Sequence, residues 1–144
     1  MANAAALLQW YGTLTPASLD RIGEFYHPHA RFKDPFNEVE GIAAIRRIFA
    51  HMFETTTDPR FVIGETLAAA DRAFVLWEFE FGLRGKPLRV QGATHLAFDA
   101  EGLVTVHRDY WDAAEELWQK LPVIGPPVRW LRGRFAANTL ARQS

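Results

Sequence analysis

The spacing of apolar residues changes once along this chain, and that change restricts the possible folds more than any other feature. Up to Phe53 the apolar residues recur every three or four positions, as they do on one face of a helix. From Phe61 onward they alternate with polar residues, which is the period of a strand with one buried face. Helices that precede a run of strands predict an α+β fold in which the helices cover one face of a sheet.

Three helices are predicted in the first part of the chain. The apolar positions of the first helix are Leu7, Trp10 or Tyr11, and Leu14. Thr15 and Pro16 are a cap and a first-turn residue, and they begin a second helix that carries Leu19, Ile22 and Tyr26. After Gly41, residues 42–53 are predicted to form the third helix, which buries Ile45, Phe49 and Met52 against the sheet.

A short strand and four long strands are predicted around the third helix. The run His27-Pro28-His29 is expected to end the second helix, and Ala30 to Asp34 then alternates so that Phe32 and Asp34 share one side. The long strands are separated by turn-forming residues at 70–71, 84–87 and 99–102. Their inward positions include Val75, Trp77, Phe79, Phe81, Val90, Thr94, Leu96 and Phe98. An aromatic sheet face of this kind is expected to enclose a pocket.

Composition excludes several classes of protein. A length of 144 residues fits one compact domain, and a formal net charge of -1 argues against a nucleic-acid partner. With no cysteine, thiolate catalysis, disulfides and cysteine-based zinc sites are excluded. The serines Ser18 and Ser144 lie outside any Gly-x-Ser-x-Gly motif, so a serine hydrolase is not expected. The start of the chain lacks the pattern of a secretory signal and no run is long enough to span a bilayer, so we expect a cytoplasmic protein.

The order of these elements resembles the nuclear transport factor 2-like superfamily, and most closely its ketosteroid isomerase and SnoaL-like branch. The residues that carry the resemblance are 30–35, the helix that follows Gly41, and 107–112. The similarity covers roughly residues 4–113 and implies a cone-shaped, curved antiparallel (mixed) sheet covered by three N-terminal helices. On this basis residues 1–121 are expected to form the domain, and residues 122–144 a basic amphipathic extension with one more helix.

The resemblance implies that Asp34 is a general base. In the isomerases of this family an Asp before Pro at a strand end moves a proton between carbons next to a carbonyl group. The family's two hydrogen-bond donor positions fall at Trp10, with Tyr11 beside it, and at Thr94. The implied function is a cofactor-free, steroid delta-isomerase-like enzyme for a small apolar carbonyl compound. The alternative interpretation is that Asp34 caps the turn after Pro35.

A second candidate centre lies on the last strand. The resemblance places His107, Asp109 and Trp111 in the pocket, where His107 and Asp109 would suit a lyase, a polyketide cyclase or a hydrolase. The alternative is that Asp109 pairs with Arg108 or Arg89 at the surface.

The aromatic residues of the sheet are candidates for substrate binding. Trp77, Phe79, Phe81 and Trp111 could stack on a flat apolar ligand, or they could simply fill the core. His27 and His29 lack a third ligand nearby, so no metal is predicted. No phosphate-binding loop is found, and no cofactor is expected.

Binding partners are predicted from two features, the C-terminal tail and the outer face of the sheet. The tail is basic and amphipathic, with Trp130 and Phe135 expected to be buried against the pocket mouth or a partner subunit; binding to a membrane surface is the alternative. Ala93, Ala97 and Tyr110 on the outer sheet face, together with the family likeness, predict a homodimer. A non-catalytic binding or interaction module remains a third interpretation of the whole chain.

Overall fold

The computed structural model describes residues 2–116 and 125–135 of the 144-residue chain. The chain forms two compact units, Met1–Trp111 and Asp112–Ser144. In the first unit the helices are α1 (Ala2–Gly12), a 3₁₀-helix (Ala17–Glu24) and α2 (Ile42–Thr55). Its strands are β1 (Tyr26–Lys33), β2 (Glu38–Glu40), β3 (Thr57–Ala68), β4 (Arg72–Leu83), β5 (Lys86–Phe98) and β6 (Val104–Tyr110). The predicted α+β class is therefore confirmed.

The six strands form one mixed, curved sheet in the order β2-β1-β6-β5-β4-β3. The strands β1 and β6 run parallel to each other, and the other neighbouring pairs are antiparallel. The three predicted hairpin breaks separate β3, β4, β5 and β6. Because β1 lies beside β6, residues from the start and the end of this unit meet at the middle of the sheet.

The helix predicted over residues 42–53 is confirmed as α2, which packs on β1 and β3. It begins after Gly41, whose φ of 96° is accessible to glycine and strained for other residues. The side chains of Ile45 and Phe49 are buried in the core, and Met52 packs against it. Ile45 is completely buried, as the helical spacing of these residues predicts.

Tyr26 lies in a strand, so its prediction as a helical residue is wrong. The 3₁₀-helix ends at Glu24, and Tyr26 is the first residue of β1, with an exposure of 0%. The pairing of β1 with β6 shifts between Tyr26 and Arg31, and this irregular stretch accommodates Pro28. The predicted boundary at His27-Pro28-His29 reflects the proline, whereas burial of Tyr26 and pairing with β6 extend the strand to Tyr26.

The second unit contains the helices α3 (Ala113–Glu116) and α4 (Gly125–Phe135). In α4 the side chain of Trp130 is 65% exposed and Leu131 is also exposed. Among residues 2–116 and 125–135 the expected burial of Trp130 is therefore not found, and its burial against a partner stays a prediction. Lys120, Arg142 and the side chain of Phe135 lie outside the described residues.

None of the helices in residues 2–116 and 125–135 has both the length and the apolar character required to span a membrane. Vesicle binding by the basic tail remains an expectation from its sequence.

Candidate functional site

A small pocket lies between α1, α2 and the inner face of the sheet. Its apolar walls are Leu8, Phe49, Phe61, Ile63, Val75 and Leu96. Its polar residues are Tyr11, Trp77, Thr94, His107 and Asp109. The space open to the centre of a water molecule is about 20 Å³, which is the room that about one water needs. A larger ligand enters only if wall side chains move.

The polar residues of the pocket form one continuous hydrogen-bonded chain centred on Asp109. Thr94 Oγ1 lies 2.5 Å and His107 Nε2 lies 2.7 Å from Asp109 Oδ1. On one side the Trp77 indole N–H donates to Thr94 Oγ1 at 2.7 Å. On the other side His107 Nδ1 lies 2.7 Å from the hydroxyl oxygen of Tyr11 and 2.7 Å from that of Tyr26. Residues from five elements, α1, β1, β4, β5 and β6, therefore converge on a single carboxylate.

The donors and acceptors in this hydrogen-bonded network determine which atoms carry the protons. In the neutral His107 ring, Nε2–H donates to the Asp109 carboxylate, which leaves Nδ1 as an acceptor. Nδ1 accepts one proton, so one tyrosine hydroxyl donates to it and the other donates to the first hydroxyl's oxygen. If Tyr26 donates to Nδ1, the Tyr11 hydroxyl, which lines the pocket, donates to Tyr26 at rest and can turn to donate to a bound molecule instead.

Both tyrosines keep their protons. Burial raises the pKa of Tyr11 well above its ordinary value, and the nearby Tyr26 and Asp109 raise it further. Burial also raises the pKa of Tyr26, with an additional contribution from Asp109. A phenolate in this place would lose its hydration and face a carboxylate, so each phenol remains a donor at neutral pH.

Asp109 presents one oxygen to the network and leaves the other for the pocket. The bonds from Thr94 and His107 both end at Oδ1. Among the described residues none donates to Oδ2, and the Asp109 side chain keeps 15% exposure while that of His107 keeps 3%. The alternative pairing of Asp109 with Arg108 or Arg89 is not found in this part of the chain. Asp109 Oδ2 is therefore the basic atom best placed to meet a bound molecule.

Asp34 lies outside this pocket. Its Oδ1 accepts hydrogen bonds from the backbone N–H groups of Phe36 (2.8 Å) and Asn37 (2.6 Å), and from Asn37 Nδ2 (3.1 Å). Its own backbone N–H donates to the Asn37 carbonyl at 2.9 Å. These are the contacts of the turn cap that the sequence allowed as the alternative. The role of Asp34 as a base stays a prediction, without a pocket contact to support it.

We expect Asp34→Ala to lower the free energy of unfolding by about 1 to 2 kcal/mol, because the turn loses its acceptor. Asp34→Asn keeps one acceptor oxygen and should cost less than half as much. Urea unfolding of both variants measures the difference. Equal stability of Asp34→Ala and wild type would contradict a capping role.

The other predicted binding residues fall into two groups. Trp77 and Thr94 line the pocket, whereas Trp10 is buried in the core, stacks on Phe25 and donates its indole N–H to the Ser18 carbonyl at 2.8 Å. Phe79 and Phe81 stack at 4.8 Å on the inner face of the sheet, and Trp111 contacts the Phe36 ring. These three aromatic residues do not belong to the pocket lining.

Tyr26 and the apolar walls were missed by sequence reasoning. Tyr26 shares strand parity with Phe32, and that parity is the signal that could have placed it inward. Phe61 and Ile63 alternate in β3, and neither is predicted as a pocket residue from the sequence. His27 and His29 lie at the surface with ring centres 5.8 Å apart, and the described residues contain no cluster of three or more metal-ligating side chains.

Comparisons with known proteins agree on one fold. A family model described as a SnoaL-like domain matches residues 7–107. An LEH-like epoxide hydrolase from M. tuberculosis superposes with a TM-score of 0.67 at 13% identity, over 79% of this chain and 85% of that one. The epoxide hydrolase/cyclase-like enzyme SalBIII, which has a role in pyran ring formation in polyether salinomycin, gives 0.66 at 17% identity over 77% and 91%.

A third solved structure is a protein with a ketosteroid isomerase-like fold from Catenulispora acidiphila, in complex with trimethylamine. It gives a TM-score of 0.67 at 18% identity, over 80% of this chain and 88% of that chain. The search of curated proteins gives no match. At these identities the solved structures establish the fold alone.

Proposed function

The chain belongs to the SnoaL-like domain family, within the nuclear transport factor 2-like superfamily, and from that premise we propose that it is an enzyme that transfers protons on a small apolar molecule. Asp109 is the general base and Tyr11 is the hydrogen-bond donor to the reacting oxygen. The observation that supports this best is that the Asp109 carboxylate and the protonated phenol of Tyr11 both line the pocket, alongside apolar walls. Both groups are joined through His107.

The reaction that fits this geometry best is the addition of an O–H group to a strained ether. Asp109 Oδ2 removes the proton of a water molecule, or of a hydroxyl on the substrate, and the oxygen attacks carbon. The carbon–oxygen bond of the ring breaks, and the released oxygen accepts a hydrogen bond from Tyr11 and takes a proton from solvent water. Asp109 returns the proton that it removed to solvent as the product leaves, and Tyr11 stays protonated throughout. Water gives a hydrolase and an internal hydroxyl gives a cyclase.

Two observations support this choice. The pocket has room for about one water molecule beside Asp109, which is the second reactant of a hydrolase. Two of the structural relatives carry names that refer to epoxide hydrolysis or cyclisation.

Removal of a C–H proton next to a carbonyl group is the second candidate reaction, because the same base and donor would serve an isomerase. One relative has a ketosteroid isomerase-like fold.

The reaction is tested with a panel of small apolar epoxides in water enriched in ¹⁸O. We expect diol products with one ¹⁸O atom, or cyclic ethers without label from substrates that carry their own hydroxyl. Asp109→Asn serves as the matched control because it keeps the shape of the side chain and removes the base. Ligand binding without turnover of epoxides or carbonyl compounds by wild type would favour the non-catalytic binding module.

We also propose a homodimer that forms through the outer face of the sheet. Four large apolar side chains, each more than half exposed, lie on this side: Leu67, Phe74, Leu76 and Tyr110. Leu76 pairs across the strands with Ala93, and Ala93 pairs with Tyr110, so these residues form one row. Exposed apolar surface of this kind is typical of an interface.

We expect Leu76→Lys to convert the dimer to a monomer, because two lysines would meet near the symmetry axis of a two-fold interface. Light scattering coupled to gel filtration measures the mass, and circular dichroism checks that the fold is kept. A wild-type protein that is monomeric at all concentrations would contradict the proposal.

A further inference from the structure

Gly92 and Trp77 are direct partners on the neighbouring strands β5 and β4. A Cβ atom at position 92 would lie 2.4 Å from Trp77 Cη2 and 2.6 Å from Cζ2, which is closer than any real contact. The indole ring therefore lies across the backbone of β5 at the place where that strand has no side chain. Any larger residue at position 92 would displace the ring.

The position of the ring brings its N–H group to Thr94. The indole nitrogen lies 2.7 Å from Thr94 Oγ1, and Trp77 is nearly fully buried. An indole N–H can only donate, and a hydroxyl has one proton. Because Thr94 Oγ1 accepts from Trp77, its own proton is directed to Asp109 Oδ1, 2.5 Å away.

We propose that Gly92, Trp77 and Thr94 act together as a positioning relay that holds the carboxylate of Asp109 by Oδ1 and turns Oδ2 toward the pocket. The inference rests on the proposed role of Asp109 as the base. It assigns Trp77 to the base rather than to stacking on a ligand, because the indole N–H donates to Thr94 and the ring lies against the backbone of Gly92. These three residues touch no reacting atom in this account, so they are positioning residues.

The charged and titratable groups around Asp109 come from several elements. His107 on β6 contacts it directly, and Tyr11 on α1 and Tyr26 on β1 act through His107. The strands β4 and β5 contribute the uncharged Trp77 and Thr94. Thr94 is the residue through which a change at Trp77 or Gly92 reaches the Asp109 carboxylate.

The test is a titration of the Asp109 carboxyl carbon by ¹³C NMR in wild type, Trp77→Phe, Thr94→Val and Gly92→Ala. We expect the midpoint of the Asp109–His107 pair to move up by about one pH unit in each variant, which is a tenfold change in protonation. With a substrate, kcat should fall about tenfold in Trp77→Phe while KM changes less than twofold. Thr94→Ser keeps the hydroxyl and should restore the wild-type midpoint and kcat.

Two controls separate the relay from general damage to the fold. Trp10→Phe removes another indole N–H, which donates to the Ser18 carbonyl, and Gly23→Ala adds a Cβ with nothing within 4 Å. Both should leave the Asp109 midpoint unchanged. If Trp77→Phe or Gly92→Ala fails to fold, the Thr94→Val and Thr94→Ser pair decides the question.

A folded Thr94→Val or Trp77→Phe variant that titrates at the wild-type midpoint would overturn the relay. The titration does not require turnover, so it remains decisive even if wild type proves to have no activity. In that case the proposed function fails and the relay is judged by NMR alone.

Discussion

Ile45→Asp is expected to unfold the protein at room temperature. Ile45 is completely buried in α2, at the centre of the core that α2 shares with α1 and β1. An aspartate there would place an unpaired charge among apolar side chains at a cost of several kcal/mol, order of magnitude, out of a total stability of about 5 to 15 kcal/mol. Circular dichroism and thermal unfolding measure the loss directly.

The matched control is Ala43→Asp on the same helix. Ala43 is exposed in the first turn of α2, where a negative charge interacts favourably with the helix dipole. Its stability should change by less than about 0.5 kcal/mol. An Ile45→Asp protein that melts at the wild-type temperature would show that the packing of α2 is different from that described.

Alkaline pH is expected to destabilise the protein steeply, because the pKa values of two buried tyrosines are raised in the folded state. In the unfolded chain Tyr11 and Tyr26 ionise near pH 10, whereas in the folded chain they stay protonated. Unfolding therefore releases protons above pH 10, and stability falls as the pH rises. Each tyrosine contributes about 1.4 kcal/mol per pH unit, and below pH 10 this contribution to stability is fully present.

Urea unfolding at pH 9, 10 and 11 measures the slope. Tyr26→Phe should reduce the slope by about half, because one of the two protons no longer takes part. The variant also removes a hydrogen bond to His107 Nδ1, so its free energy of unfolding at high pH is compared with its own value at pH 7. A stability that is independent of pH between 10 and 11 would contradict the raised pKa values.

The fold could be predicted because it depends on local periodicity. The helical spacing of Ile45, Phe49 and Met52 and the alternation of Trp77 and Phe79 each specify which face is buried, whatever the distant parts of the chain do. The hairpin breaks follow from turn residues for the same reason. The resemblance adds the curved, mixed sheet, which periodicity does not contain, and the six-stranded sheet of the structure confirms it.

The site could be predicted only in part, because its contacts join residues far apart in sequence. Strand parity groups His107 with Asp109, yet it leaves open whether they face the pocket or the surface. Nothing in the local sequence joins His107 to Tyr11, 96 positions earlier, or to Tyr26, 81 positions earlier. Those contacts follow from the parallel pairing of β1 with β6 and from the side chain of Tyr11, which reaches both strands from α1.

The role of Asp34 could not be predicted for a different reason, because its local sequence pattern fits two roles. An aspartate before a proline at the end of a strand has the same sequence pattern whether it is a base or a turn cap. The choice depends on where the next three residues turn, and here the backbone of Phe36 and Asn37 folds back onto the carboxylate. The hydrogen bonds that stabilise this turn end mainly at Oδ1, and Asn37 Nδ2 also donates to Oδ2 at 3.2 Å, so both oxygens of Asp34 are engaged.

The central claim is that Asp109, and not Asp34, is the base, and the most direct test compares kcat/KM of two isosteric variants. On any substrate that wild type turns over, we expect Asp109→Asn to lose about 10²- to 10⁴-fold, because the proton acceptor is gone. Asp34→Asn should stay within about threefold of wild type, because it changes a turn outside the pocket. A large loss in Asp34→Asn together with an active Asp109→Asn would contradict this account and return the base to Asp34.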